Sequence, residues 1–307
     1  MKKREKEWSV KFPWGKVAMV SWGNPTNPPI LMVHGYMDTA ATFIPLLELL
    51  PDNYYYVGLD MPGHGKSDPF APGVIVSQLH IVEVVRGVVE HMKWSSFVYI
   101  SHSMGFIIGM FYNHLHPGKI AKMIHLDPGP PLSFYYLSHH KPNYWYLIYD
   151  SYYSNYERWT SGNSREMTHD EAINLLVRNR SLTEDQAESV ISRSLVPSSE
   201  GKFRLSWEPR MKQISTVALS EETLYTVITE HTPPMLIIEV SDYQGITDKK
   251  FASNILDKCS LMMPHCSSVS VTGGHDVHIS SPETIVPHIV DFLKDVGKYK
   301  KNVRSKL

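Results

Sequence analysis

Ser103 lies in the run Phe97-Val98-Tyr99-Ile100-Ser101-His102-Ser103-Met104-Gly105, and the apolar stretch Phe106-Ile107-Ile108-Gly109 follows it. A short β-branched and aromatic segment that leads into small-x-Ser-x-Gly predicts a strand, a sharp turn carrying the serine, and a helix. Such a turn holds the serine in a strained backbone conformation, so the residues two before and two after it must be small. Gly105 meets the second demand, and Ser101 stands where glycine is usual at the first. The chemistry this geometry serves is attack of a hydroxyl on a carbonyl. A hydroxyl is a poor nucleophile at neutral pH. It needs a histidine to take its proton and a carboxylate to orient that histidine.

Candidates for both partners follow in chain order. Pro234 to Val240 reads as a buried strand with Ser241-Asp242 at its end, and Ser268 to Thr272 leads into Gly273-Gly274-His275-Asp276-Val277-His278. Serine, acid, histidine is one of the known orders of a catalytic triad. Donors for the oxyanion come from two further places. Pro29 to Val33 reads as a buried parallel strand ending in His34-Gly35-Tyr36, so the backbone N–H of Tyr36 can form half of an oxyanion hole and that of Met104 the other half. Tyr54 to Leu59 reads as another strand, followed by the tight turn Asp60-Met61-Pro62-Gly63-His64-Gly65. That turn is expected to shape the floor of the site, with His64 a hydrogen-bonded turn residue rather than a base.

These motifs resemble those of the α/β-hydrolase superfamily over nearly the whole chain. His34-Gly35-Tyr36-Met37-Asp38, Tyr55 to Asp60 with Gly63-His64-Gly65, and His102-Ser103-Met104-Gly105 resemble the animal family of serine hydrolase-like proteins. The resemblance implies a lidded hydrolase with a Ser-Asp-His triad and no fixed substrate. Asp242, nearest the strand end, is the carboxylate chosen here. Asp248 is a rival, and so is Asp127, because some α/β-hydrolases place the acid at the end of the strand Met123 to Leu126.

The alternation of strands and helices predicts an α/β fold with a mostly parallel central sheet and right-handed crossovers. Val10 to Phe12 and Lys16 to Trp22 flank a starting hairpin. Thr42–Leu50, Val74–Met92 and Thr284–Val296 are core helices by their periodicity. The first part of the core is expected over residues 1–128 and the second over 233–297. The hundred or so residues between them are too many for a loop. Residues 129–232 are therefore expected to form an inserted, mainly helical lid, with Glu171–Arg180 and Glu184–Ser194 its clearest helices. Its first part, from Phe134 to Trp159, holds eleven aromatic side chains, which suits a wall over an apolar acyl chain or ring.

A chain of 307 residues with 42% hydrophobic residues can bury a large core, and a net charge of −1 gives no electrostatic reason to expect a nucleic-acid partner. The 16 histidines fall into no metal-ligand spacing, so neither metal nor cofactor is expected. Cys259 and Cys266 are expected to be free thiols. No secretory signal and no membrane-spanning run is read. The basic tail, residues 298–307, ends in Ser305-Lys306-Leu307, a tripeptide read by the peroxisomal import receptor, and this predicts a place in the peroxisomal matrix with the cytoplasm as the alternative. The sequence reading is thus a serine hydrolase that cleaves a carboxylic ester or related acyl bond through an acyl-enzyme. An acyl-CoA thioesterase, a C–C bond hydrolase and a non-catalytic ligand-binding relative are the competing readings. Ser103 at the nucleophile position speaks against dehalogenase or epoxide hydrolase chemistry, which needs Asp there.

Overall fold

The computed structural model describes residues 5–73, 75–132, 143–161, 165–217, 219–242 and 249–294. Its frame is an eight-stranded sheet in the order β1-β2-β4-β3-β5-β6-β9-β10. The strands are β1 (Glu5–Phe12), β2 (Gly15–Trp22), β3 (Pro29–Val33), β4 (Tyr55–Leu59), β5 (Phe97–His102), β6 (Ile120–Leu126), β9 (Met235–Val240) and β10 (Cys266–Val271). The β1–β2 hairpin is antiparallel and β2 also runs antiparallel to β4; every other pairing in the sheet is parallel. A small separate hairpin is made by β7 (Leu195–Ser199) and β8 (Lys202–Leu205).

The apolar runs that predict buried strands do so because both faces of the sheet are covered. In β3, Leu31 and Val33 join the cluster on one face, while Ile30 and Met32 join the cluster on the other. The first face is covered by α2 (Gln78–Met92), α3 (Gly105–Leu115), α8 (Glu221–Thr229) and α9 (Lys249–Met262), through residues such as Val85, Ile108, Val227 and Ile255. The second is covered by α1 (Ile44–Leu49) and, after the short α10 (Val277–Ser280), by α11 (Pro282–Lys294), through Leu46, Leu47, Ile285 and Ile289. Helix α2 begins at Gln78 rather than at residue 74, because Ser77 and His80 form a capping box that sets the first turn.

Between β6 and β9 the chain forms α4 (Tyr144–Ser154), α5 (Tyr156–Thr160), α6 (His169–Arg180), α7 (Glu184–Ile191), the β7–β8 hairpin and then α8. Thr168 with Glu171, and Thr183 with Gln186, cap α6 and α7. These two helices share a small core of Met167, Ala172, Ile173, Ala187 and Ile191. Helix α8 belongs elsewhere: Leu224, Val227 and Ile228 lie in the main core cluster, so not all of residues 129–232 stands apart from the sheet domain. Two ion pairs, the first buried and the second partly buried, tie the rest to the core. Arg193 reaches Asp60 at 2.8 Å, and Arg180 reaches Asp38 at 3.0 Å.

Cys259 and Cys266 are free, and burial pushes the Cys259 thiol up to about 12. No helix among the described residues is long and apolar enough to cross a membrane. Asp248 and Ser305-Lys306-Leu307 lie outside the described residues.

Candidate active site

The turn between β5 and α3 has the strained form that the sequence requires. Ser103 has φ 49, in the left-handed region that a non-glycine residue adopts at a cost. Its backbone is pinned by its own N–H, which donates to the Leu126 carbonyl at 3.0 Å. Gly105 leaves room for close approach: a Cβ there would stand 2.5 Å from the Val33 carbonyl oxygen and 2.9 Å from the Ser101 Cβ. Ser101 itself is fully buried, and its hydroxyl pairs with His125 Nδ1 at 2.7 Å behind the turn. Burial holds His125 down at about 3, so it is neutral. The departure from glycine at position 101 therefore has a partner of its own.

The loop after β3 is held by two buried histidines whose tautomers follow from their partners. The Met61 N–H donates to His34 Nε2 at 2.9 Å, so His34 carries its proton on Nδ1 and gives it to the Gly35 carbonyl at 2.7 Å. The Met37 N–H donates to His64 Nε2 at 3.2 Å, and His64 Nδ1 donates to the Pro62 carbonyl at 3.1 Å. Burial lowers both, His64 to about 3, which keeps the acceptor nitrogens bare. His64 is thus a hydrogen-bonded turn residue that supports a strained stretch of backbone, with Met37 at φ 55. Gly35 in this loop faces the serine: a Cβ there would lie 3.1 Å from the Ser103 Cβ.

Asp127, not Asp242, stands against His275. His275 Nδ1 meets Asp127 Oδ2 at 2.5 Å. Asp127 ends β6 with φ 43, its N–H donates to the Ile238 carbonyl at 2.8 Å, and its carboxylate is buried. Asp242, the carboxylate chosen from its closeness to the strand end, is exposed and accepts from the Ser241 hydroxyl at 2.8 Å. The reason is geometric. Residue 242 lies just past the end of β9, but its side chain faces water, whereas the left-handed turn at 127 aims a carboxylate inward from the end of the neighbouring strand.

Ser103, His275, Tyr36 and Met104 all line one cavity of about 460 Å³, and its remaining wall is largely apolar, with Pro130, Pro131, Tyr144, Ile148 and Ile214. Four charged residues that the motifs did not single out also line it: Asp38, Arg180, Lys212 and Asp276. Arg180 donates to Asp276 through Nε at 2.8 Å and to Asp38 through Nη2 at 3.0 Å. Burial alone would raise both carboxyls, but the guanidinium outweighs it: Asp38 is held at about 2 and Asp276 is also lowered. Asp38 and Asp276 sit in the motif segments, but nothing local marks them as partners. Arg180 comes from a helix 142 residues beyond Asp38. Beneath this pair, the rings of His275 and His278 lie 4.5 and 4.1 Å from that of His102, and His102 Nε2 meets the His275 carbonyl at 2.9 Å.

Ser103, His275 with the Asp127 carboxylate behind it, Tyr36 and Met104 are thus gathered at one largely apolar cavity. Comparison with known proteins shows the family and the fold. The family model described as the alpha/beta hydrolase fold matches residues 28–170. The chain is similar to serine hydrolase-like protein 2 of Homo sapiens, at 30% identity over 94% of each chain. It is similar to serine hydrolase-like protein of Mus musculus, at 28% identity over 95% of this chain and 96% of that one. Among solved structures, the thioesterase domain from the curacin biosynthetic pathway superposes with a TM-score of 0.75 at 18% identity, covering 94% of this chain and 99% of that chain, a likeness of fold.

Proposed function

Because the chain belongs to the serine hydrolase-like family of α/β-hydrolase-fold proteins, we propose that it hydrolyses a carboxylic ester or related acyl bond through an acyl-enzyme. The observation that carries this reading is the His275–Asp127 pair at 2.5 Å opening on the same cavity as the strained Ser103. In this reading the Ser103 hydroxyl attacks the acyl carbonyl and gives its proton to His275 Nε2. Asp127 fixes the imidazole with its proton on Nδ1 and stabilises the imidazolium. The N–H groups of Tyr36 and Met104 receive the oxyanion, and His275 returns the proton to the leaving group. Water then repeats the sequence on the acyl-enzyme. No cofactor takes part.

The apolar wall favours an acyl group of limited size, and a cavity of about 460 Å³ is in the range of small-molecule sites. Tyr144, Ile148 and Arg180 on that wall come from the insertion between β6 and β9, which supports its acting as a lid over the acyl group.

Labelling of the protein with a fluorophosphonate probe tests the reading, followed by a panel of p-nitrophenyl esters and acyl-CoA thioesters. Wild type should label and Ser103→Ala should not, with turnover down on the order of 10⁶-fold. Near wild-type turnover by Ser103→Ala would exclude this mechanism. The panel separates ester from thioester, since both use the same residues.

A further inference from the structure

We propose that Asp38, His102, Asp276 and His278 form an inhibitory binding site for a divalent transition-metal ion such as zinc, with Arg180 as the internal cation that competes for it. Each of the four offers one ligand atom, and these atoms all lie within 4.8 Å of one another. Two imidazole nitrogens with two carboxylate oxygens form a donor set suited to zinc or cobalt rather than to magnesium or calcium, which prefer all-oxygen shells. The spacing of the motifs hides the set, because its members come from the loop after β3, the end of β5, the loop after β10 and the short helix Val277–Ser280 that follows it.

An independent observation points to a ligand. Nδ1 of His102 and Nδ1 of His278 are both buried without a hydrogen-bond partner. The other nitrogen of each ring is engaged: His102 Nε2 with the His275 carbonyl at 2.9 Å, and His278 Nε2 with the Thr42 hydroxyl at 2.8 Å. A carbonyl only accepts, so His102 carries its proton on Nε2 and keeps a bare lone pair on Nδ1. That is the arrangement of a metal-ligating histidine, whose second nitrogen donates to a carbonyl and fixes the ring.

Charge completes the argument. The Asp38 and Asp276 carboxylates face one guanidinium, and a divalent ion that takes the place of Arg180 would balance the two negative charges in full, which the single guanidinium does not. Arg180 is carried by α6 in the insertion, whereas all four ligands are on the core, so its withdrawal leaves the ligands in place. Ligands of a tetrahedral ion with bonds of about 2.0–2.1 Å stand roughly 3.3 Å apart, so small side-chain rotations close the site. His102 precedes Ser103 in the chain and Asp276 follows His275. A bound ion would therefore tether both reacting residues and slow acyl transfer, a consequence that rests on the hydrolase reading above.

Titration of the full chain with Co²⁺, followed by its ligand-field absorption and then by displacement with Zn²⁺, tests the site without reference to activity. One equivalent should bind saturably with a four-coordinate spectrum. Asp276→Asn and His278→Gln should each weaken binding by about tenfold or more. Arg180→Gln should tighten it severalfold, a gain that misfolding cannot produce. The site is overturned if neither wild type nor Arg180→Gln gives a saturable spectrum, or if the spectrum is indifferent to Asp276→Asn and His278→Gln, as binding by surface histidines would be. Fluorophosphonate labelling is run in parallel. Loss of labelling rate in saturating Zn²⁺ supports the inhibitory role, and an unchanged rate overturns it. If the metal-free chain fails to label while Co²⁺ binds, the hydrolase reading fails and the metal site stands.

Discussion

His275 and Asp127, 148 residues apart in the chain, meet at 2.5 Å through Nδ1 and a carboxylate oxygen. The contact depends on two backbone features. Asp127 takes a left-handed turn at the end of β6, and the loop after β10 delivers His275 above the same edge of the sheet. A carboxylate so placed orders the imidazole and favours its charged form during proton transfer.

Asp127→Asn should therefore cut ester turnover by about 10⁴-fold, the cost of an imidazole held in the wrong tautomer. Asp242→Asn, at an exposed side chain, should change it less than about threefold, within the small effect usual for surface substitutions. Steady-state kinetics on one p-nitrophenyl ester compares the two. The reverse ranking would mean that the pairing with Asp127 is not the one used in turnover.

The Ser101–His125 pair is buried behind the turn. Ser101→Ala removes the partner of a buried imidazole nitrogen and should lower stability by about 1–3 kcal/mol. Ser103 would keep its position, so the fluorophosphonate labelling rate at 25 °C should stay near wild type. Denaturant unfolding read alongside labelling checks both halves.

His64 supports the loop that carries the Tyr36 N–H by accepting from Met37 N–H at 3.2 Å. His64→Phe fills the space without the acceptor, and ester kcat should fall by about 10- to 100-fold, less than the 10²–10³-fold loss on removing an oxyanion donor outright. KM should move little, because the ring does not line the cavity. A KM effect without a kcat effect would assign His64 to substrate binding instead.

Acid should destabilise the fold earlier than carboxylate titration alone explains. His64 and His125 are both held down at about 3 by burial, against an ordinary value of 6.5. Between these values the unfolded chain takes up protons that the folded chain does not. Their neutral burial is thus fully compatible with the fold above about pH 6.5, and stability is lost as pH falls from there toward 3. Each contributes a slope of up to about 1.4 kcal/mol per pH unit in that window. Thermal melts from pH 7.5 to 4.5 should show Tm falling from near pH 6.5, and His125→Phe should reduce the slope. A flat Tm down to pH 5 would contradict the assignment of neutral buried rings.

What the sequence determined by itself is what local stereochemistry and hydrophobic pattern control. The turn at Ser103 was legible because a strained strand-to-helix turn admits few residue types, and Gly105 alone allows the approach of the Val33 carbonyl. The parallel strands were legible because burial on both faces demands unbroken apolar runs such as Pro29 to Val33. His64 was legible as a turn residue from the glycines and proline around it. The identity of the carboxylate was not, because sequence distance from a strand end says nothing about which way a side chain leaves the sheet. Asp127 was decided by one left-handed residue and by the neighbouring strand β9 that accepts its N–H. Nor could the pattern show that Arg180 closes on Asp38 and Asp276, or that the His102 ring meets those of both His275 and His278. Those contacts join segments far apart in the chain whose residues carry no local signature. Packing of the insertion against the core brings Arg180 within reach of Asp38 and Asp276, and the fold of the core itself brings the three imidazole rings together.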